Sequence, residues 1–376
     1  MSLTFQTASY RPPVKPEQFS GIRMGFRHWR YHHEGDSYIF DFEAGRKFHV
    51  IVVTGGAGFI GSNIVAALNE VGRMDVVVCD TLGNDGKWHN LRKRVIQDIV
   101  PPHELMSWLE QHEDIEAVIH MGANSSTLAK DGDEVMESNF RFSLSLLDWC
   151  TARGVKLIYA SSAATYGDGT QGFSDHLSLA HLRTLRPLNL YGWSKHLFDQ
   201  VVATRMESGK KLPPVCVGLK FFNVFGPNEQ HKGSMMSLAS KYFDKIKAGE
   251  TIDLFRSHHP DYKDGEQLRD FVYVEDILGV ILWLLDQSHR IALYNVGSGQ
   301  ARSFRNLVGA IFDVLGQEHR IRFIDMPEEI RPRYQYFTKA DDTRLRTDGY
   351  NRPGTRLEDA IAHFVRTYLD TDDPYR

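Results

Sequence analysis

The chain has 376 residues, of which 42% are hydrophobic, and a formal net charge of −4. This length exceeds what one hydrophobic core usually organises, so we expect two domains. The charge gives no reason to expect a nucleic-acid partner. No apolar run approaches the roughly 20 residues of a membrane span, and no signal-peptide pattern is visible. Cys79, Cys150 and Cys216 lie in or beside apolar segments without metal-ligand spacing, which predicts buried free thiols and a cytoplasmic protein.

The first 47 residues stand apart from the rest of the chain. They contain Pro12, Pro13 and Pro16, then an aromatic, histidine-rich run, and Tyr38–Phe42 alternates like a strand. Acidic residues in this segment argue against a targeting peptide. The sequence indicates an extension without an assignable role.

A strand, a glycine turn and a helix follow in residues 51–63. Gly55, Gly58 and Gly61 come after an apolar run and precede Asn63-Ile-Val-Ala-Ala-Leu. This context is typical of a dinucleotide site, in which glycines permit a sharp turn, a close approach of the pyrophosphate and close packing of the helix. The helix amides at Phe59 and Ile60 then face the anion.

The next predicted strand ends at Asp80, where a carboxylate usually binds an adenosine ribose and favours NAD. Thr81 follows it, and Asp98 lies where it could reach the adenine. Lys87 begins a cationic run with Arg92, Lys93 and Arg94, which is either a solvated surface or a means to neutralise a 2′-phosphate. We expect NADP, with NAD the less favoured alternative.

Short apolar runs alternate with longer helical stretches between residues 50 and 221. The predicted strands are Val50–Val53, Val76–Cys79, Ala117–His120, Lys156–Ala160 and Val215–Phe221. This alternation predicts an α/β fold with a doubly wound parallel Rossmann sheet, whose site lies at the carboxyl ends of the strands. We assign residues 48–225 and about 266–295 to this domain. Residues of about 226–265 and 296–376 then form a smaller, discontinuous α/β substrate domain.

Tyr191 and Lys195 are spaced one helical turn apart, and Ser162 follows the fourth predicted strand. A tyrosine is a poor base at neutral pH unless a nearby cation stabilises its phenolate. Residues i and i+4 share a helix face, so the Lys195 ammonium can supply that cation and bind the nicotinamide ribose. Ser162 would hold the substrate hydroxyl. Adjacent histidines such as His258 and His259 lack accompanying ligands, so no metal site is expected.

These motifs resemble those of the extended short-chain dehydrogenase/reductases that act on nucleotide sugars. The resemblance spans about residues 50 to 370. Its markers are Thr54–Ser62, Ser161–Gly167, Tyr191–Lys195, Phe222–Pro227 and Leu268–Asp276. Within that family the chain is similar to the ADP-L-glycero-D-manno-heptose 6-epimerases through Tyr159–Gly167, Pro187–Lys195, His231-Lys-Gly-Ser-Met and Arg333–Thr338. Trp193 stands where the family usually has tyrosine, and residues 1–47 are foreign to the pattern.

The resemblance implies inversion at carbon 6 of ADP-D-glycero-D-manno-heptose, a precursor of the lipopolysaccharide core, by transient oxidation through NADP. It assigns the two acid/base roles to Tyr191 and Lys232, although sequence physics alone would make Lys232 a surface lysine. It implies a homo-oligomer, a pentamer by family precedent. Arg269 would contact the pyrophosphate through its guanidinium fork. The remaining implied substrate contacts are Asn223, His231, Ser234, Phe255 and Tyr334.

Three alternative functions compete with this one. A nucleotide-sugar 4,6-dehydratase needs a carboxylic acid beside the strand-end serine, but Ala163 and Ala164 follow Ser162. A UDP-sugar 4-epimerase shares Tyr191 and Lys195, and only the His231 motif argues against it. A non-catalytic NADP-sensing regulator typically loses the Tyr/Lys pair that this chain keeps.

Overall fold

The computed structural model describes residues 49–328, 330–331 and 334–376, together with the backbone of two strands in the first 48 residues. The chain divides into two compact units between Phe48 and His49. In the first unit, β1 (Arg30–Glu34) pairs antiparallel with β2 (Ser37–Asp41). The strand expected from Tyr38 is thereby confirmed. The rest of the predicted extension lies outside the described residues.

In the described part of the second unit, the strands form three sheets. Its strands, in chain order, are β3 (Val50–Thr54), β4 (Val76–Cys79), β5 (Asp98–Val100), β6 (Ile115–His120), β7 (Lys156–Ser162), β8 (Val215–Phe221), β9 (Asn223–Phe225), β10 (Ile252–Phe255), β11 (Leu268–Tyr273), β12 (Arg290–Val296), β13 (Ala301–Ser303) and β14 (Ile321–Ile324). Seven of them form one parallel sheet in the order β12-β8-β7-β6-β3-β4-β5. The smaller sheets are β13-β11-β9 and β10-β14.

Helices connect these strands. They are α1 (Phe59–Glu70), α2 (Leu105–Glu110), α3 (Gly132–Met136), α4 (Phe142–Arg153), α5 (Leu179–Leu182), α6 (Leu190–Glu207), α7 (Leu238–Lys247), α8 (Val274–Leu285), α9 (Phe304–Leu315), α10 (Thr343–Thr347) and α11 (Leu357–Phe364). Short 3₁₀ turns cover Lys87–Asn90, Ala163–Tyr166 and Gln230–Met235, and π turns cover Glu137–Arg141 and Val365–Leu369.

The large sheet is buried on both faces of its central strands, which are mostly apolar. Along β3, Ile51 and Val53 pack into one core while Val52 packs into a second core on the opposite face. Both cores exclude water from these side chains, as all-parallel sheets require. The predicted doubly wound α/β fold is confirmed, and each of the five predicted strands is present. The sequence analysis missed β5 and β12.

A third core lies between the smaller sheets and helices α7, α9 and α11, and it is rich in phenylalanine. Phe243, Phe271, Phe312 and Phe364 are among its members. Apart from Phe59 on α1, its buried members come from the chain after residue 222. The division of residues 49–376 into a cofactor domain and a substrate domain stays a prediction.

The thiols of Cys79, Cys150 and Cys216 are free and buried, as predicted. Burial raises the pKa of Cys79 and of Cys216 to about 12. Within the described residues, no helix is both long and apolar enough to cross a bilayer. The same part of the chain contains no group of three or more His, Cys, Asp or Glu side chains that could hold a metal ion.

A buried carboxylate joins the large sheet to the smaller ones. Asp270 on β11 is fully buried and accepts hydrogen bonds from the backbone N–H groups of Ser298 at 2.6 Å, Gly299 at 3.0 Å and Ala340 at 2.8 Å. Ser298 follows β12 of the large sheet. Asp270 therefore fixes the position of the neighbouring Arg269, a predicted substrate contact.

We expect Asp270→Ala to lower the free energy of unfolding by about 2–4 kcal/mol, because several buried N–H donors would lose their acceptor. Urea unfolding monitored by circular dichroism measures the change. Asp264→Ala is the matched control, since Asp264 accepts one backbone bond, from Ser257, and we expect a loss below about 1 kcal/mol. Equal losses in the two variants would contradict the role of Asp270.

Candidate active site

The glycine turn between β3 and α1 is packed backbone against backbone. Gly55 has φ +65°, and a Cβ atom there would lie 2.7 Å from the Gly122 nitrogen. A Cβ atom on Gly61 would lie 2.0 Å from the Gly55 carbonyl oxygen. Side chains are excluded from both positions, so the roles predicted for these glycines in turning and close packing match the geometry.

The amino end of α1 is available to an anion. Its N-cap residue, Gly58, supplies no side-chain cap, and no side chain of the described residues accepts a hydrogen bond from the amides of Phe59, Ile60 or Gly61. Such amides and the helix dipole together favour a phosphate group. These residues fit the pyrophosphate of a dinucleotide.

Asp80 organises the region beside the turn. Its Oδ2 accepts a hydrogen bond from the Ala57 N–H at 2.9 Å, and its Oδ1 accepts one from the Thr81 N–H at 2.8 Å. The Lys87 ammonium lies 3.2 Å from Oδ1. The structure thus brings Asp80, Thr81 and Lys87 to the glycine turn, and their contact with a cofactor stays a prediction. Asp98 begins β5, and its exposed carboxylate accepts a bond from the Ile99 N–H.

The other cations of the loop have different partners. Arg92 and Lys93 pair with Asp373 at 2.6 Å and 2.8 Å, and the Lys93 ammonium also donates to the Tyr375 carbonyl. These two side chains hold residues near the end of the chain. Lys87 is therefore the cation of this run that the structure places beside Asp80.

Asn90 connects the glycine turn to the loop that carries the His231 motif. Its amide nitrogen donates to the Ala57 carbonyl at 2.8 Å and lies 3.4 Å from the Asn228 carbonyl and 3.3 Å from His231 Nδ1. Burial lowers the pKa of His231. The sequence analysis missed Asn90, because no local motif marks it.

Ser162, Tyr191 and Lys195 come together at the carboxyl end of β7. Asn189 caps α6 by accepting a bond from the Gly192 N–H at 2.8 Å, so the helix begins at the catalytic motif. Ser162 ends β7 and caps the following 3₁₀ turn. Tyr191 interacts with the Ser162 hydroxyl, and Lys195 lies one helical turn further along α6.

Burial controls the charges in this cluster. It lowers the pKa of Lys195 to about 8, although the Asp199 carboxylate acts in the opposite direction. Burial also raises the pKa of Tyr191, and the hydrogen bond with Ser162 opposes this rise. The stabilisation of the Tyr191 phenolate by Lys195, expected from the sequence, stays a prediction. The pKa of buried His120 is lowered to about 3 by burial and by the Lys195 charge, which leaves its ring neutral.

The predicted second base is placed at the start of α1. The Lys232 ammonium lies 3.4 Å from the buried Glu229 carboxylate and 4.9 Å from the centre of the Phe59 ring. Glu229 also accepts bonds from the N–H and hydroxyl groups of Ser237, both at 2.7 Å. Among the described residues, no hydrogen bond or ion pair joins Lys232 to Tyr191. Glu229, which the sequence analysis missed, thus anchors Lys232 and its loop.

Arg269 is a buried cation without a carboxylate partner among the described residues. Its side chain is 7% exposed, and its guanidinium lies 5.1 Å from the Tyr334 ring centre and 5.4 Å from that of Phe304. Burial lowers its pKa. A buried cation in this state favours an anionic ligand, so the structure brings together two predicted substrate residues, Arg269 and Tyr334.

The other predicted substrate contacts lie on separate elements. Asn223 begins β9 with an exposed side chain, Phe255 ends β10, and Ser234 lies exposed in the 3₁₀ turn that contains Lys232. Arg333 of the family motif lies outside the described residues. The assignment of these side chains to a substrate stays a prediction.

Residues 51–297 match the model of the NAD dependent epimerase/dehydratase family. The chain belongs to this family. Its nicotinamide dependence agrees with the glycine turn, while the choice between NADP and NAD is not decided by the match. The family membership also agrees with the prediction that the chain is an enzyme.

Curated members of this family share much of the sequence. The ADP-L-glycero-D-manno-heptose-6-epimerase of Nitratidesulfovibrio vulgaris is 46% identical over 327 residues, which are 86% of this chain and 99% of the relative. The enzyme of the same name from Fusobacterium nucleatum is 42% identical over 335 residues, or 87% and 100% of the two chains. The crystal structure of Helicobacter pylori ADP-L-glycero-D-manno-heptose-6-epimerase aligns with a TM-score of 0.68 at 28% identity, covering 85% of this chain and 96% of that one. The resemblance identified from the motifs is confirmed.

Two substitutions separate the structural role of the turn from its binding role. We expect Gly61→Ala to lower both the melting temperature and the cofactor affinity, because its Cβ would collide with backbone at a cost of about 1–3 kcal/mol. Gly58→Ala is the matched variant, since its Cβ would meet only the Gly55 oxygen at 3.2 Å. Gly58→Ala should keep the wild-type melting temperature but bind the cofactor more weakly. Differential scanning fluorimetry and nucleotide titration measure the two effects, and normal cofactor binding by Gly58→Ala would refute the close approach of phosphate.

Proposed function

We propose that this protein inverts carbon 6 of ADP-D-glycero-D-manno-heptose to give ADP-L-glycero-D-manno-heptose. The observation that carries the proposal is the cluster of Ser162, Tyr191 and Lys195 at the same sheet edge as the glycine turn. Support for the substrate comes from the relatives of that name and from the His231-Lys232 motif. These two observations favour this reaction over the 4-epimerisation of a UDP-sugar.

Carbon 6 of the heptose bears no acidic hydrogen, so its inversion proceeds through a transient ketone. When bound, a nicotinamide cofactor supplies a reversible hydride acceptor for this chemistry. Ser162 holds the carbon 6 oxygen by a hydrogen bond. As a phenolate stabilised by the Lys195 ammonium, Tyr191 accepts the hydroxyl proton at its oxygen in one direction, and as the phenol it returns that proton in the other.

Inversion requires proton transfer from two sides, because the carbonyl presents its opposite face before it is reduced again. Lys232 is our candidate for the second side. Its place beside Glu229 and Phe59 is then a resting position, and the lysine turns towards the substrate. Gly233, with φ +51°, follows Lys232 and supplies backbone freedom in this 3₁₀ turn.

The ADP moiety is anchored by Arg269. Its guanidinium can bind pyrophosphate oxygens in a bidentate manner, and the nearby Tyr334 ring can contact the nucleotide. Because Arg269 is already buried, an anion at this site gains a strong electrostatic interaction with little loss of side-chain freedom.

For the cofactor we infer NADP rather than NAD. The Lys87 ammonium balances the Asp80 carboxylate, which would otherwise repel a 2′-phosphate. Arg92 and Lys93 are engaged with Asp373, so the inference depends on Lys87.

The substrate is tested with carbon 6 deuterated ADP-D-glycero-D-manno-heptose, with UDP-glucose as the competing candidate. We expect epimerisation of the ADP-heptose only, with deuterium retained in the product as measured by NMR, because a hydride kept within the site does not exchange with solvent. Solvent-derived hydrogen at carbon 6 would refute transient oxidation. Turnover of UDP-glucose alone would refute the substrate.

The two acid/base groups are tested by Tyr191→Phe and Lys232→Met. Each should reduce kcat by about 10²–10⁴-fold, the usual contribution of such groups, while leaving substrate binding in place. Lys241→Met is the control for loss of a lysine in the same region. A Lys232→Met enzyme with near-normal turnover would show that Tyr191 serves both faces.

The cofactor is tested by mass spectrometry of the nucleotide released on heating and by titration of Lys87→Ala. We expect NADP to be released, and the variant should lose more affinity for NADP than for NAD. Arg92→Ala is the control that should leave the affinity ratio unchanged. Equal weakening of both nucleotides by Lys87→Ala would mean that the lysine does not contact the 2′-phosphate.

A further inference from the structure

A fully buried ion pair lies behind the catalytic cluster. Asp199 on α6 and Lys220 on β8 both have side chains with 0% exposure, and Lys220 Nζ lies 2.9 Å from Asp199 Oδ2. Such a pair loses the hydration of two charges and often contributes little to stability. Its position points to another role.

Asp199 shares a helix face with the catalytic residues. Tyr191, Lys195 and Asp199 follow one another at intervals of four residues along α6, so their side chains lie on one side of the helix. Asp199 is thus one turn beyond Lys195 and two turns beyond Tyr191.

The pair also holds the segment that carries Ser162. Asp199 accepts hydrogen bonds from the Ser161 hydroxyl at 2.7 Å and the Tyr159 phenol at 3.2 Å. Lys220 donates to the Thr165 hydroxyl at 2.6 Å. Ser161 and Thr165 lie on either side of Ser162 in the sequence, so these bonds connect α6 and β8 to the end of β7.

The charges around Lys195 are few. Its ammonium is affected by the Asp199 carboxylate, which raises its pKa against the effect of burial. On β6, His120 is neutral because its pKa lies near 3. On α6, burial lowers the pKa of His196 and raises that of Tyr191. Lys220 contributes a positive charge that Asp199 balances.

We propose that the Asp199–Lys220 pair is a positioning element of the catalytic site, which fixes α6 against the end of β7 and supplies the carboxylate that balances the Lys195 ammonium. The inference rests on the proposed function, because it assigns Lys195 a charged role in that reaction. It adds Asp199 and Lys220 to the residues that determine the pH range of activity. Neither residue contacts the substrate.

Asp199→Asn and Lys220→Met test the proposal because they act in opposite directions. In the wild type, the Lys195 charge is lost as the pH rises through about 8, so kcat should fall above that pH. Asp199→Asn removes the balancing carboxylate, and the alkaline limb of kcat should move to lower pH by about one pH unit. In Lys220→Met, the Asp199 carboxylate no longer has a second cation to neutralise, so it stabilises the Lys195 ammonium more strongly. The alkaline limb of kcat should then move to higher pH. The double variant should fall between the two.

A purely structural pair would give a different result. In both variants kcat or the melting temperature would then fall while the alkaline limb of kcat stayed at the same pH. This outcome would overturn the inference. Asp148→Asn is the matched control, since Asp148 forms an exposed ion pair with Arg205; it should leave the profile unchanged. If Asp199→Asn does not fold, Lys220→Met and the double variant still decide the direction of the shift.

A second measurement separates this inference from the proposed function. The pKa of Lys195 can be followed by NMR of ¹³C-lysine-labelled protein, with the signal assigned by its loss in Lys195→Met. It should decrease in Asp199→Asn and increase in Lys220→Met whether or not the enzyme accepts the heptose. An unchanged Lys195 pKa in both variants would refute the inference, whereas absence of wild-type epimerisation would refute only the proposed function.

Discussion

The hydrogen-bond register of the parallel sheet is the constraint on which the site depends. It pairs Thr54 with His120, and His120 with Tyr159, so that β3, β6 and β7 end at one edge. The Thr54 hydroxyl and His120 Nδ1 are 2.6 Å apart across this edge. Because side chains alternate along a strand, a slip of one residue in β7 would turn Tyr159 and Ser161 away from Asp199. The Ser162 side chain would turn with them, away from Tyr191.

The sequence predicts those parts of the fold whose signals are local. Long apolar runs indicate β3, β4, β6, β7 and β8, whereas β5 has only three residues. β12 does contain an apolar run, Ile291–Tyr294, which the sequence analysis overlooked. The glycine turn and the spacing of Tyr191 and Lys195 are local as well. Asn90 contacts a residue 141 positions away, and Asp199 pairs with one 21 positions away. Such contacts depend on tertiary packing, although the helical spacing from Lys195 to Asp199 is a signal that sequence analysis could have used.

Charge runs show the same limit of sequence analysis. Lys87, Arg92 and Lys93 have similar chemistry and lie within seven positions of one another, yet the structure separates them. Lys87 pairs with Asp80 beside the turn, whereas the other two pair with Asp373. Asp373 is 281 positions from Arg92, and no pattern near the run predicts this partner. The folded chain therefore determines which cation of a run can meet a ligand.

The contacts of Asn90 have a kinetic consequence. One side-chain amide links the carbonyl of the glycine turn to the loop of Asn228 and His231, and Asn228 is itself fully buried in a left-handed conformation with φ +72°. Opening of that loop would break its contacts with Asn90, next to the dinucleotide site. The rate at which a dinucleotide leaves the turn would therefore change if that loop opened. An enzyme whose net reaction consumes no reducing equivalents benefits from this link, since a cofactor lost in mid-cycle would leave an oxidised sugar behind.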